Sequence, residues 1–339
     1  MSSTNLFSPS AWLTPQQPEL ELIYEHEHLL LAHKHSPALA AFITKQASSQ
    51  TYYTIAYLAD RPLLTDAYRA YAYFRWVDDI VDQTQAGQAQ RQAFLTRQQA
   101  IIARCHQGER PRDLLPEEQL VADLIHNESA KHSGLHTYLS QMMVAMYFDA
   151  ERQGRLISQK ELAAYTHSLA RAVTEALHYF IGHDEASPYN KNRYLALTGA
   201  HITHMLRDAM EDTAVGYYNI SQEFLQAHGI TPAHIHHPAY RIWVHNRVQQ
   251  ARRYFAAGKR YLAQVENPRC RLAGYAYIGR FEVILKAIEK DDYWLRAAYP
   301  ERKSVKNGLK MGLSTLFQTL NTLLPGKQTF TRGAAPFGW

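Results

Sequence analysis

The sequence predicts an all-α fold built as a single domain, on three observations. Apolar residues recur at helical spacing almost throughout from Pro37 to about Tyr299. The interruptions between these stretches are polar or carry proline. Alternating β-type segments joined by Asn-Gly turns are missing. A chain of 339 residues, 46% hydrophobic and 20% charged, can bury a large core and has the composition of an ordinary soluble protein.

Taken in order, residues 1–36 read as an arm, because Pro9, Pro15 and Pro18 break regularity and the stretch around His26, His28, His33 and His35 is polar. Residues 37–303 form the expected helical domain. Pro62 with Thr65 and Asp66 marks a helix start, and the apolar spacing continues through Tyr68, Tyr71, Phe74 and Val81. Further helices are expected over 88–106, 116–148, 159–182, 190–214, 238–264 and 270–291, with breaks at 108–112, 184–189 and 229–238. In the tail, 304–339, Leu309, Leu313, Leu316, Phe317, Leu320 and Leu324 recur at helical spacing beside Lys303, Lys306 and Lys310. Two readings fit it: a helix in peripheral contact with a membrane surface, or a last helix packed on the core.

The formal net charge is +5. Such a balance suits an anionic surface or a polyanionic small substrate. No dense Lys/Arg run or nucleic-acid motif accompanies it, so no nucleic-acid partner is expected. Cys105 and Cys270 are far apart and form no CxxC pair, which argues against a disulfide framework or a zinc site. With no signal-peptide pattern and no run of 18 apolar residues, the expected location is cytoplasmic, with the tail as the one candidate for contact at the inner membrane face. Many of the 22 tyrosines, including Tyr52, Tyr53, Tyr71 and Tyr73, lie in apolar stretches where each hydroxyl needs a partner.

Two segments carry chemistry. Asp78 and Asp82 stand at i and i+4, so a helix presents both carboxylates on one face; Arg75 precedes them by a turn, and Asp79 points about 100° away. Asp208 and Asp212 repeat the spacing, again directly after an arginine, Arg207. Like charges one turn apart destabilise a bare helix by about 0.2–0.5 kcal/mol, a cost that a cation between them removes. Four carboxylates facing each other suit a hard cation such as Mg²⁺, which takes oxygen ligands and bridges to substrate phosphates. Arg75 and Arg207 would bind phosphate oxygens directly.

The run Arg75-Trp76-Val77-Asp78-Asp79-Ile80-Val81-Asp82 resembles the R-x-x-D-E-L-V-D motif of the squalene/phytoene synthase family. Thr203-His204-Met205-Leu206-Arg207-Asp208-Ala209-Met210-Glu211-Asp212 is similar to the family's T-N-I-L-R-D-x-x-E-D. Ser49-Gln50-Thr51-Tyr52-Tyr53 resembles S-x-S-F-Y. Phe148-Asp149-Ala150-Glu151, with Glu161, Leu162 and Tyr165, looks like the M-D-L-E segment and the helix after it. Ile284, Leu285, Ile288, Glu289 and Tyr293 resemble the closing helix, so the likeness covers roughly 40–300. It implies a terpenoid-synthase (isoprenoid-synthase) helical bundle with a central cavity. It also implies head-to-head condensation of two farnesyl (C15) or geranylgeranyl (C20) diphosphates to a squalene, dehydrosqualene or phytoene-type hydrocarbon. The implied cofactor is Mg²⁺, or Mn²⁺, with NADPH needed only for squalene. The residues carried over as catalytic are Asp78, Asp82, Asp208, Asp212, Arg75 and Arg207, with His204 joining the four aspartates as a metal ligand. Those carried over to the substrate are Thr51, Tyr52, Tyr53, Arg75, Arg207, Thr174, His201 and Tyr218. Tyr52, Tyr53, Phe74 and Tyr179 would shield a carbocation by cation–π contact, or are plain core.

The sequence departs from the family at several of these places. His204 stands where an Asn helps to hold Mg²⁺, and His201 replaces a Gln one turn earlier. The pair either ligates a softer metal or hydrogen-bonds inside the pocket. Gln50 replaces a basic residue, Thr174 replaces the Gly of V-x-G, and Tyr218-Asn219-Ile220-Ser221 stands in place of Tyr-Leu-Pro. Two other functions remain open. Asp78-Asp79-Ile80-Val81-Asp82 also satisfies DDxxD, as in chain-elongating synthases and terpene cyclases, although the second motif matches neither. A non-catalytic assembly or lipid-binding relative is the other.

Overall fold

The computed structural model describes residues 36–82, 87–128, 133–183 and 185–300. The expected arm, except for Ser36, and the expected tail lie outside the described residues. Twelve α-helices follow one another within them: α1 (Ser36–Ala47), α2 (Ser49–Leu58), α3 (Leu64–Val81), α4 (Gln88–His106), α5 (Pro116–His126), α6 (Gly134–Arg152), α7 (Gln159–Phe180), α8 (Leu195–Arg207), α9 (Ala209–Ala214), α10 (Gln222–His228), α11 (Pro238–Leu262) and α12 (Pro268–Lys290). A 3₁₀ turn, Arg61–Leu63, leads into α3. The β-type pairing among the described residues is one isolated parallel bridge between Ile157 and Ser221.

Local chemistry sets the ends. Ser158 caps α7 by accepting from the Glu161 N–H, while Glu161 reaches back to the Ser158 N–H at 2.7 Å. Asn267 caps α12, and Pro238 and Pro268 occupy first turns, where a missing N–H is harmless. The structure corrects two expected helices. The stretch over 116–148 is two helices, because Asn127 caps the end of α5 and Ser133 caps the start of α6. The stretch over 190–214 begins only at Leu195 and bends at Asp208, where α8 ends and α9 starts. The short helix α10 carries no long apolar period and was not anticipated.

Two apolar cores result. One gathers Leu39 of α1, Tyr73 and Val77 of α3, Leu95 of α4, Leu120 of α5 and Leu139 of α6. The other gathers Ile202 of α8, Val248 and Phe255 of α11, and Ile284 and Leu285 of α12. Helix α7 joins them, giving Leu162 and Ala170 to the second core and Ala172, Tyr179 and Phe180 to the first.

Polar contacts then hold α3 and α8. The Tyr73 hydroxyl donates to Gln98 Oε1 at 3.2 Å, and Tyr138 donates to the Ala70 carbonyl at 3.1 Å. Arg193, just before α8, forks onto Glu175 of α7 at 2.7 and 2.9 Å and donates to the Tyr261 hydroxyl of α11 at 2.9 Å. Helix α11 lies so close to α8 that a Cβ at Gly258 would stand 2.6 Å from the Ala196 Cβ and 2.8 Å from its Cα. Neither neighbour can rotate away, since both belong to the opposing backbone and its first side-chain atom. Gly258→Val should therefore destabilise the protein by about 1–3 kcal/mol through overpacking. Denaturant unfolding checks this, and a midpoint equal to wild type would contradict the close α8–α11 crossing.

Candidate active site

The first aspartate segment ends α3. Asp82 caps that helix, with its N–H on the Asp78 carbonyl at 2.9 Å. Arg75 reaches Asp78 through Nη1 at 3.4 Å and grips Asp79 through Nε at 3.1 Å and through Nη2. Asp79 therefore serves as the arginine's counter-ion instead of pointing away unused.

The second segment straddles the α8–α9 bend. Arg207 binds its neighbour Asp208 through two nitrogens, and His204 Nε2 lies 2.8 Å from Asp208 Oδ2. Burial acts to raise the Asp208 pKa, but the bonds from Arg207 and His204 outweigh it and hold the carboxyl well below the usual range. Here His204 spends its Nε2 on Asp208.

The loop after α9 ties the two segments together. The Tyr217 hydroxyl donates to Asp82 Oδ1 at 3.1 Å. Asn219 donates to Asp212 Oδ2 at 2.7 Å and accepts from Arg152 Nη1 at 2.9 Å. Arg152, at the end of α6, also donates to Asp149 Oδ1 at 2.6 Å, while the Tyr165 hydroxyl takes the other Asp149 oxygen at 2.7 Å. The Arg152 guanidinium stands over the rings of Tyr165 and Tyr217, at 4.6 and 5.0 Å from their centroids. One buried cation thus connects helices α6 and α7 with the loop after α9.

Four carboxyls around this arginine have pKa values above the ordinary range. Burial raises Asp78, with Asp82 and Asp149 adding to the rise and Arg75 opposing it. Desolvation and then the charge of Asp149 raise Asp82, with the Tyr217 bond and Arg75 opposing. Burial raises Asp149 against the pull of Arg152. Burial and then Asp208 raise Asp212 to about 7, with smaller pushes from Glu211 and Asp82. Asp212 feels the charge of Asp82, and the loop after α9 bonds both, Asp82 through Tyr217 and Asp212 through Asn219, so the two motifs meet at this loop. The donors are all oxygen and mutually repelling, which is the chemistry a hard cation relieves. Among the described residues no three His, Cys, Asp or Glu side chains converge to hold an ion by themselves. Mg²⁺ commonly uses only one or two carboxylates and completes its shell with water and phosphate, so the residues present fit it.

The remaining expected positions fall elsewhere. Thr51 belongs to the start of α2, where its N–H and its hydroxyl both donate to the Ser48 hydroxyl oxygen, at 3.2 and 2.9 Å. Tyr52 stacks on Tyr68 at 5.1 Å, and Tyr53 is 50% exposed. Tyr68 precedes Asp78 by ten residues of α3, so this trio packs about 15 Å along that helix from the carboxylates. Phe74 and Tyr179 are buried in the first core. Thr174 is buried in α7, with no partner for its Oγ1 among the described residues. His201 bonds the Leu169 backbone, has no partner for Nε2 among the described residues, and is depressed to about 3 by burial and the nearby His204. The tyrosine that reaches the first motif is Tyr217; Tyr218, its expected neighbour, is half-buried.

Sequence reasoning did not single out Asp149, Arg152, Tyr165, Tyr217 or Asn219 as site residues. Asp149 and Tyr165 stood in a quoted family segment, and Arg152 follows Asp149 at i+3, a visible pairing signal. Nothing in the spacing points to Tyr217 or Asn219, which a loop delivers.

A family model described as squalene/phytoene synthase matches residues 44–307. Among curated proteins, presqualene diphosphate synthase of Rhodopseudomonas palustris (strain ATCC BAA-98 / CGA009) is 27% identical over 186 residues, 55% of this chain and 63% of that relative. The matched part is thus under two thirds of the relative's length. Among solved structures, squalene synthase HpnC from Alicyclobacillus acidocaldarius superposes with a TM-score of 0.62 at 19% identity, over 77% of this chain and 95% of that one. A dehydrosqualene synthase in complex with ligand gives a TM-score of 0.66 at 16% identity, over 87% and 99%. At such identities the structural likeness speaks for the fold.

The carboxylate repulsion has a measurable sign. An unfolded Asp titrates near 3.9, and folding raises Asp212 to about 7. Its contribution to stability is therefore fully present below about pH 4 and is lost as pH rises through about 7. In chelator, Asp212→Asn should gain thermal stability over wild type progressively between those limits. Melting curves across that pH series test this; a Tm difference independent of pH would remove Asp212 from the repulsive cluster.

Proposed function

The chain belongs to the squalene/phytoene synthase family and has its all-α terpenoid-synthase fold, and from that premise we propose that it is a prenyltransferase. Its proposed reaction is the head-to-head joining of two C15 or C20 prenyl diphosphates to a squalene, dehydrosqualene or phytoene-type product. The observation that carries this reading is the loop after α9, which bonds Asp82 of the first motif through Tyr217 and Asp212 of the second through Asn219; on this reading Asp78, Asp82 and Asp212 face one substrate cleft, with Arg75 and Arg207 beside it.

Asp78 and Asp82 at the end of α3 and Asp212 of α9 would each lend a carboxylate to Mg²⁺, or Mn²⁺, with water and phosphate oxygens completing the shell, and Asp208 is the further candidate on the α8–α9 bend. When bound, the ion supplies neutralisation for a departing diphosphate. The chain's own residues do the rest. Tyr217 orients Asp82 and Asn219 orients Asp212 by the hydrogen bonds they donate. Asp149 has both oxygens occupied by Arg152 and Tyr165, so it acts as fixed negative charge behind the ligands. Arg75 and Arg207 already sit on carboxylates beside the cleft and can turn N–H groups onto phosphate oxygens. The neutral His201 and the hydroxyl of Thr174 contribute polar atoms within the bundle and bear on substrate shape. A reductant, NADPH, enters only if the product is squalene. Peripheral membrane contact, through the tail, suits so apolar a product; among the described residues no helix is long and apolar enough to cross a membrane.

A second reading has one observation in its favour. Asp208 is already saturated by Arg207 and His204, which suits a relative that binds diphosphate without turnover.

The test is purified protein with Mg²⁺ and C10, C15 or C20 diphosphates, with products read by mass spectrometry. A hydrocarbon or diphosphate built from two substrates is expected. Asp82→Asn and Asp212→Asn should lower turnover by about a hundredfold or more with helical content unchanged. Mg²⁺ plus diphosphate should raise the melting temperature of wild type and not of these variants. A cyclised product of one substrate, or binding with no product, would replace the proposed reaction by cyclisation or by the silent reading.

A further inference from the structure

A second pocket, of about 320 Å³, lies between the start of α7, α10 and α11. Gln159 and Leu162 of α7, Phe224 of α10, and Trp243, Arg247 and Gln250 of α11 line it. None of these residues bonds any of the four carboxyls described above. Their sources differ too, since the aspartates come from α3, α6 and the α8–α9 bend.

Arg247 is the unusual member. Its Nη1 donates to Gln250 Oε1 at 2.7 Å, and its guanidinium carbon stands 5.5 Å from the centroid of the Trp243 ring. Gln250 is itself held by a bond from Nε2 to the Tyr254 hydroxyl at 3.1 Å, which keeps its carbonyl toward the arginine. Among the described residues no carboxylate forms an ion pair with Arg247. Other cations on the same helix are paired with acids: Arg241 with Asp292, Arg252 with Glu289, and Lys259 with Glu282. Burial pushes the Arg247 pKa down to about 10, with only Tyr254 opposing it. A partly buried guanidinium without an anionic partner is electrostatically unfavourable, and an entering anion relieves it. Arg253, exposed six residues further along α11, about 1.7 turns, adds a second cation at the same pocket.

We propose that this pocket is a second binding site, one that takes a phosphate-type oxyanion on Arg247 and Arg253. The guanidinium fork matches phosphate oxygens in pairs. The volume stands at the low end of ligand pockets, large enough for a phosphate or diphosphate group with a short apolar stem. Trp243, Phe224 and Leu162 form the wall against which such a stem packs. The oxyanion's source is either a free phosphate or diphosphate, or the headgroup of an anionic lipid. The site stands apart from the proposed reaction, because its recognition needs neither the aspartates nor a divalent cation.

The test uses the full chain in chelator, so that cation-dependent binding at the aspartates is silent. Inorganic phosphate and inorganic diphosphate are titrated by calorimetry, with Trp243 fluorescence as a local report. In parallel, the chain is sedimented with phosphatidylcholine vesicles with and without phosphatidic acid. Saturable binding of at least one of these anions is expected. Arg247→Met should weaken it by about tenfold or more, and Arg253→Ala, an exposed change, by about threefold. Arg104→Gln, a change at an exposed cation of α4, should leave it unchanged. Should Arg247→Met fail to fold, Arg247→Lys keeps the charge while losing the fork, and should still weaken binding several-fold. Dependence on Arg247 in the free-anion titrations assigns a soluble ligand; dependence only with phosphatidic acid assigns a lipid headgroup. No binding of either kind, or binding indifferent to both arginines, overturns the site. Since turnover is not measured, either result leaves the reaction proposal where it stands.

Discussion

Gathering Asp78, Asp82, Asp149 and Asp212 about the end of α3 and the loop after α9 is electrostatically unfavourable, and much of the surrounding architecture contains that repulsion. Arg152 is central to it. It neutralises Asp149 at 2.6 Å, reaches the loop after α9 through Asn219, and lies over two tyrosine rings that partly replace its lost hydration. One arginine cannot offset four carboxyls, so all four, Asp149 included, keep a raised affinity for a proton. That residual demand gives the cleft its proposed chemistry.

Such a cluster persists only if the helices presenting it cannot slide apart. Helix α3 is held by hydroxyls from neighbouring helices, Tyr138 donating to its backbone and Tyr73 reaching out to Gln98. Helix α8 is held differently. Close approach at Gly258 and the buried Arg193–Glu175 fork fix it against α11 and α7. The two cores are separate bodies of apolar contact joined through α7. Asp149, buried on α6, stands where a charge acts more strongly than it would in water.

The arginines named above differ in what matches their charge. Arg152, Arg193 and Arg252 are matched by carboxylates and organise the fold. Arg75 and Arg207 are matched too, but by aspartates of the motifs themselves, so a competing phosphate can draw them away. Arg247 has an aromatic ring and an amide instead of an acid, which leaves it available to an outside anion.

What the sequence determined by itself is what local spacing encodes. Periodicity placed most helices, since i, i+3, i+4 burial is written along one element, and the limits of α4 come out as expected, at 88 and 106. The DxxxD pairs and their arginines were legible because a single helix turn brings them together. The break at 127–133 was hidden, because capping by Asn127 and Ser133 outweighs an apolar pattern that runs past them. Only the tertiary structure decided that Asp149 and Arg152 enter the carboxylate cluster, that Tyr217 bonds Asp82 across 135 positions of chain, and that His204 rests on Asp208. It also decided that Thr51, Tyr52 and Tyr53 stand well along α3 from the aspartates. The reason is physical: contacts between distant segments depend on how helices cross, and crossing is set by packing and close backbone approach, which no single stretch of sequence contains.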